Sequence, residues 1–321
     1  MDMVLGIDVG GTSIKVGLFT PEGELLDERK ITTTELVSEQ AFAAVTGAIT
    51  EFIAEHDAGP EDVIACGLDV PGPVADDGTL GIIANVELDP KGFVAAFKAA
   101  FPQASIAFVN DANAAALGEM WAGSAKGATS CVVIAVGTGV GAGVVANGRL
   151  VAGAFGAAGE AGHVTVNRDE TRQCGCGRYG CLEQYASAQG IVRTYLEECE
   201  RRGVKPVDVE HATDTLSVFK ALADGDECAK YAVEVMCDYL GLVMSQISCI
   251  VDPELYLIGG GVAGAFDTFA PMLRERFDAY ALKPSRAARI EVASLGNQAA
   301  MYGSAYEALR IRRESRTPSL D

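Results

Sequence analysis

The feature that most constrains this chain is a repeat. The segment IDVGGTSIKVGLF, residues 7–19, aligns with IAVGTGVGAGVVA, residues 134–146, with Val9-Gly10 over Val136-Gly137. Each copy is an apolar run, a glycine turn and a second apolar run, the signature of a β-hairpin. After the second copy, Asn147-Gly148 supplies another tight hairpin turn. Two such segments, far apart in the chain, imply two related halves that each present a glycine turn.

The rest of the chain alternates between strand and helix patterns. Apolar runs predict strands at Val4–Val9, Ser13–Phe19, Leu25–Thr32, Val63–Leu68, Ile106–Val109, Leu255–Ile258 and Arg289–Ala293. Helical spacing or composition predicts helices at Gln40–Glu55, Gly92–Phe101, Ala112–Trp121, Ala186–Arg201, Thr215–Ala223, Glu227–Ile250, Ala265–Tyr280 and Gln298–Arg312. The polar tail Glu314–Asp321 is expected to fray. This alternation is that of an α/β protein, and 321 residues are too many for one comfortable core, so two α/β lobes with a ligand cleft between them are expected.

A formal charge of −19 argues against nucleic acid, whose phosphates demand a basic partner. A nucleotide can still bind such a chain where backbone N–H groups, a lysine and Mg²⁺ supply local positive potential. No apolar stretch approaches the roughly 18 residues of a membrane span, and the start has no signal-peptide pattern, so neither membrane nor export is expected. Of nine cysteines, Cys66, Cys131, Cys199, Cys228, Cys237 and Cys249 are scattered in apolar or helical surroundings, as small buried hydrophobes are. That usage fits a reducing cytoplasm.

The other three cysteines cluster. His163, Cys174, Cys176 and Cys181 fall within nineteen residues, in a chain with three histidines in all. Three thiolates and an imidazole match the four ligands of a tetrahedral structural zinc. Both Glu160, just before the cluster, and Glu183, just after it, are carboxylates that a metal-pinned loop can hold rigidly. With one ring nitrogen of His163 on zinc, the other carries N–H and can only donate.

Gly10-Gly11-Thr12 follows a buried strand, and its backbone can approach a phosphate closely. Lys15 can reach the same anion, and Asp8 can hold a Mg²⁺-bound water. An ordinary hairpin turn is the competing reading. It is neither a P-loop nor a dinucleotide fingerprint, because a strand rather than a helix follows. Gly137-Thr138-Gly139 repeats the device, and Gly259-Gly260-Gly261 adds a third turn, which together point to a clamp on a nucleotide's phosphates and adenosine. Asp111, in Asn110-Asp111 at a strand end, is either a helix N-cap or a general base drawing a proton from an attacking hydroxyl.

In combination these segments resemble the bacterial sugar kinases of the ROK (repressor, ORF, kinase) family, particularly its glucokinases. The likeness spans nearly the full length. It is carried by LGIDVGGTSIKVGLF, Pro71-Gly72-Pro73, Asn85 in GIIANVEL, VNDANAAALGE, IAVGTGVGAGVV, Glu160 with His163, CGCGRYGCLE and IGGGV. Two segments depart from the family pattern: GIIANVEL lacks a Pro-Asn-x-x-Trp flavour, and Asn297-Gln298 stands where many members carry Asn-Asp.

The resemblance implies two actin-like (ribonuclease H-like) lobes, with 1–112 plus 301–321 forming the smaller and 113–300 the larger, zinc-bearing one. It implies ATP-dependent phosphorylation of a hexose 6-hydroxyl, with Asp111 as base. Asn85, Asn110, Asp111, Glu160, His163 and Glu183 would hold sugar hydroxyls, and His163, Cys174, Cys176 and Cys181 would hold zinc. Gly10, Gly11, Thr12 and Lys15 would face the ATP phosphates with Gly137, Thr138 and Gly139, while Gly260 and Gly261 would lie near the adenosine. A homodimer is also implied. Glucose is the first acceptor to consider, with fructose, mannose, allose or N-acetylmannosamine as alternatives and polyphosphate as an alternative donor. A sugar-sensing repressor is the reading from another class, and the charge of −19 disfavours it.

Overall fold

The computed structural model describes residues 1–10, 13–32, 35–75, 78–81, 87–207 and 214–316. The chain divides into two compact units, one of Met1–Gly127, Leu150–Ala158 and Asn297–Asp321, the other of Ala128–Arg149 and Gly159–Gly296.

In the first unit the chain runs β1 (Met3–Val9), β2 (Ile14–Phe19), β3 (Leu25–Ile31), β4 (Glu35–Leu36), α1 (Glu39–Ala54), β5 (Val63–Val70), β6 (Glu87–Leu88), α2 (Pro90–Ala100), β7 (Ser105–Asn110) and α3 (Asp111–Trp121). Its main sheet has the order β3-β2-β1-β5-β7. The β1–β2–β3 portion is antiparallel and β1–β5–β7 is parallel.

The second unit runs β8 (Cys131–Val136), β9 (Val140–Ala146), β10 (Arg149–Leu150), α4 (Glu183–Ala186), α5 (Ala188–Arg202), α6 (Thr215–Ala223), α7 (Glu227–Ser248), β11 (Leu255–Gly259), α8 (Phe266–Tyr280) and β12 (Arg289–Val292). Its sheet order is β10-β9-β8-β11-β12, the same hairpin-then-parallel plan, so the repeat read from the sequence is a repeat of topology. The α9 helix (Ala299–Arg316) returns to the first unit.

Strand alternation sorts the first unit's core onto two faces. Met3, Leu5, Ile7 and Val9 pack with the apolar stripe of α1 (Phe42, Val45, Ile49, Phe52, Ile53) and with Phe93 and Phe97 of α2. Val4, Ala65 and Ala107 face the other way, onto Met301, Ala305, Ala308 and Leu309 of α9. Helix starts follow their caps. Ser38 accepts from the Ala41 N–H ahead of α1. Asp89 caps α2 with Pro90 at its first position, so that helix begins two residues before the expected Gly92. The helix expected from Ala186 begins instead at Ala188, because the Ser187 side chain caps α5, and Ala186 ends a separate short helix, α4.

The expected boundary at residue 112 falls inside α3, and the contacts place that helix wholly in the first unit. A methyl group on Gly303 would sit 1.7 Å from the carbonyl oxygen of Ala114, so α3 and α9 touch backbone to backbone. Gly303→Ala is therefore expected to lower the chemical-denaturation midpoint, by an overpacking cost of about 1–3 kcal/mol.

Candidate active site

In the first unit, β1 and β5 run in parallel with Val4 beside Ala65, Gly6 beside Gly67 and Asp8 beside Asp69. Alternation then sends Asp8 and Asp69 to the α9 face of the sheet, at its carboxyl edge. Asp8 is bound to Lys15 across the hairpin, Oδ2 to Nζ at 2.9 Å. Asp69 is 1 % exposed and shares a hydrogen bond with Asp8. Burial, and then the charges of Asp8 and Asp111, push its pKa well above the carboxylate range. The sequence reading missed Asp69, and the available signal was the matching small-residue alternation Val4-Gly6-Asp8 and Ala65-Gly67-Asp69. Gly10 closes the hairpin turn by donating to the Ser13 carbonyl at 3.0 Å, whereas Gly11 and Thr12 lie outside the described residues.

Asn110 and Asp111 divide the work at the β7–α3 junction. The Asn110 side-chain oxygen accepts from the N–H groups of Ala112 (3.0 Å) and Asn113 (3.1 Å), so Asn110 is the N-cap. Its amide donates to the Gly72 carbonyl at 3.1 Å, tying the helix start to the Pro71-Gly72-Pro73 turn. Asp111 is thus released from capping and stands at the first helical position. Its Oδ1 accepts from the Ala112 N–H at 2.8 Å. Water reaches the carboxyl, yet the surrounding protein thins its hydration, and this desolvation is the main cause of a raised pKa. The Ala112 N–H opposes that shift, and the negative charge of Asp8 adds to it. A carboxylate less stable than usual is a better proton acceptor. Asn85 lies outside the described residues.

In the second unit the zinc-type cluster forms. His163, on a tight 3₁₀ turn (Ala161–His163), and the three cysteines bring their donor atoms within 4.8 Å of one another. Zinc with Zn–S bonds of about 2.3 Å sets tetrahedral sulfurs about 3.7 Å apart. The Cys176 and Cys181 sulfurs are 3.6 Å apart, and Cys174 Sγ lies 3.8 Å from His163 Nδ1, so the donor set fits the metal. The Arg178 guanidinium donates to the His163 carbonyl at 2.6 Å. Burial opposes ionisation of Cys176, but the backbone and guanidinium of Arg178 outweigh it and bring the thiol down to about 6, a thiolate at neutral pH. The loop is braced further by Tyr185, which donates to Glu170 at 2.6 Å and accepts from the Asn167 amide at 2.8 Å. Arg172, then Tyr185, holds Glu170 at about 2 against its own burial. All six other cysteines are also free of disulfides, but Cys249, just past α7, is exposed rather than buried as expected.

The glycine turns of this unit share a corner. Gly137 N–H donates to the Gly139 carbonyl at 2.9 Å, leaving Thr138 exposed at the tip. Gly260 has φ of +77° beside the end of β8, where a methyl group would meet the Val136 carbonyl oxygen at 2.4 Å. Glu160 is exposed at the head of the 3₁₀ turn, and Glu183 opens α4.

The profile of the ROK family matches residues 4–311. The chain belongs to the ROK family. Over 309 residues it is 36% identical to a glucokinase of Halalkalibacterium halodurans, covering 94% of this chain and 93% of the relative. It is 32% identical to an N-acetyl-D-glucosamine kinase of Escherichia coli, over 95% of this chain and 98% of that one. Among solved structures, a ROK family transcriptional regulator homologous to the E. coli MLC protein superposes with a TM-score of 0.83 at 25% identity, over 97% of this chain and 79% of the regulator. Kinases and a regulator thus share this fold, so function is decided by the site rather than by the architecture. Among the described residues no helix is long and apolar enough to cross a membrane.

Proposed function

We propose that this chain is an ATP-dependent hexose kinase that transfers the γ-phosphoryl group to a sugar 6-hydroxyl, with glucose as the favoured acceptor. The observation that carries this reading is Asp111. It stands at a strand end with its capping duty taken by Asn110 and its proton affinity raised, beside the Asp8–Lys15 pair. A repressor has no need of such a base. In the proposed reaction Asp111 accepts the proton of the 6-hydroxyl as that oxygen attacks phosphorus in line. Lys15, with the N–H groups of the Gly10–Thr12 and Gly137–Gly139 turns, binds phosphate oxygens, and Gly260 and Gly261 border the adenosine. Asp8 is a hard oxygen donor that would suit Mg²⁺ or its bound water, and the ion would supply positive charge to the phosphates.

For the sugar, Asn85, Asn110, Asp111, Glu160, His163 and Glu183 supply donors and acceptors to the ring hydroxyls. With Nδ1 on zinc, His163 presents only an N–H donor at its other nitrogen. Sites of this polar kind reject analogues that lack a hydroxyl by about 10⁴-fold. The N-acetylglucosamine kinase relative supports a second acceptor class, the N-acetylhexosamines. A coupled ADP-release assay across glucose, mannose, fructose, allose, N-acetylglucosamine and N-acetylmannosamine, with ATP or polyphosphate as donor, separates these. Turnover with none of the sugars would sink the kinase reading. We further propose a cytoplasmic homodimer, which light scattering checks in its oligomeric part.

A further inference from the structure

Glu183 lies between the glycine turn and the cysteine cluster. Its Oε2 accepts from the Val140 N–H at 3.1 Å, at the point where the Gly137–Gly139 turn re-enters β9. A methyl group on Gly139 would lie 2.5 Å from the same oxygen, so the turn backbone and this carboxylate are in close contact. The other oxygen, Oε1, lies 3.7 Å from Cys174 Sγ, one of the four zinc donors. On the far side of Val140, a methyl group on Gly162 would sit 2.1 Å from the Val140 carbonyl oxygen. Gly162 belongs to the 3₁₀ turn that carries His163. A third tie joins the next residues of the chain, since the Ala188 N–H donates to the Gly137 carbonyl at 2.8 Å.

The residue where the glycine turn meets its strand is therefore gripped from both sides by parts of the zinc loop. We propose that Glu183 is a positioning residue for the Gly137–Val140 turn, linking the zinc loop to the nucleotide's phosphate site as well as serving the sugar. This rests on the reading of that turn as a phosphate cradle. A carboxylate has about four lone-pair sites, so the bond to Val140 leaves room for a sugar hydroxyl. Loss of the side chain would free the Val140 N–H, let the turn sample other conformations and charge the cost of ordering it to nucleotide binding.

The test is ADP binding by isothermal titration calorimetry with Mg²⁺ and no sugar, on the full zinc-loaded chain. Glu183→Ala should weaken ADP about tenfold, the scale of one charge-assisted hydrogen bond. Glu183→Gln keeps an oxygen for the Val140 N–H and should stay within about threefold of the original protein. Glu183→Asp, one methylene shorter, should lose affinity as alanine does, and it covers the case in which the alanine variant does not fold. Zinc content of each variant reports whether the loop is intact. ADP affinity unchanged in the alanine and aspartate variants while sugar affinity falls would leave Glu183 a sugar ligand alone and overturn the inference. Equal loss in the glutamine variant would overturn it too. An original protein that binds no ADP would instead remove the nucleotide reading, and the inference with it, before any variant is compared.

Discussion

Asp111→Asn should leave a folded protein that binds sugar and turns over about 10²–10⁴-fold more slowly, the range that general-base catalysis supplies. The replacement is close to isosteric and keeps an oxygen for the Ala112 N–H. Asn110 still caps α3 through Ala112 and Asn113, so the helix start does not depend on the change. What is lost is a site for the hydroxyl proton. The effect should thus appear in kcat with little change in the sugar KM. An asparagine variant with near-normal kcat would exclude Asp111 as the base.

The same carboxyl, as the proposed base, should set the acid limb of the pH profile. Only its ionised form can accept the proton, and desolvation, aided by the Asp8 charge, raises its pKa. Activity should then fall, as pH is lowered, at a pH above that expected of an ordinary solvated aspartate near 3.9. Asp8→Asn removes a nearby negative charge and should move that limb back to lower pH. A limb that stays in place in that variant would show that Asp8 does not contribute to the shift.

Local spacing made the zinc donors legible, because four ligands within nineteen residues need no tertiary information to be seen together. The duplicated hairpins were legible for the same reason, and their partner strands followed from the α/β alternation. Asp69 was not. Its place beside Asp8 depends on the register of two strands some sixty residues apart, and no single-strand pattern states that register. The choice between cap and base at Asn110-Asp111 also waited for geometry, since either residue type can cap a helix. Glu183 shows a further limit. Its likeness to a sugar ligand was readable, but its bond to Val140 spans 43 positions and depends on a glycine turn folding back beneath α4. The boundary moved from 112 for a packing reason, the backbone contact between α3 and α9.

Removing the zinc should disable the enzyme without unfolding it. Val164 and Val166 pack against the unit's main core, but from Asn167 to Tyr179 the only residue fully withdrawn from solvent is Cys174, so this stretch has almost no apolar core of its own to hold it in place. The unit's main core lies elsewhere, among β8, β9, β11 and helices α5 to α8, and it includes Tyr195, Met236, Leu240 and Phe269. Structural zinc in small domains contributes about 10–16 kcal/mol of apparent binding energy, far more than the hydrogen bonds bracing this loop. Chelation, or Cys176→Ser, should therefore release the metal and loosen the segment, and with it His163 and Glu183. Sugar affinity should fall by about 100-fold or more, beyond the effect typical of disturbing a single group around a metal. Hydrogen exchange supplies the readout that activity cannot. Amides from Arg168 to Tyr179 should lose protection, while those of α7, inside the main core, keep theirs. Cys176 is the ligand through which to begin, because among the four donors it alone is exposed, so its replacement disturbs the packing least. Zinc-free protein that retains both its sugar affinity and the protection of this segment would mean that Tyr185, Glu170 and Arg172 hold the loop unaided, and that the metal does not shape the site.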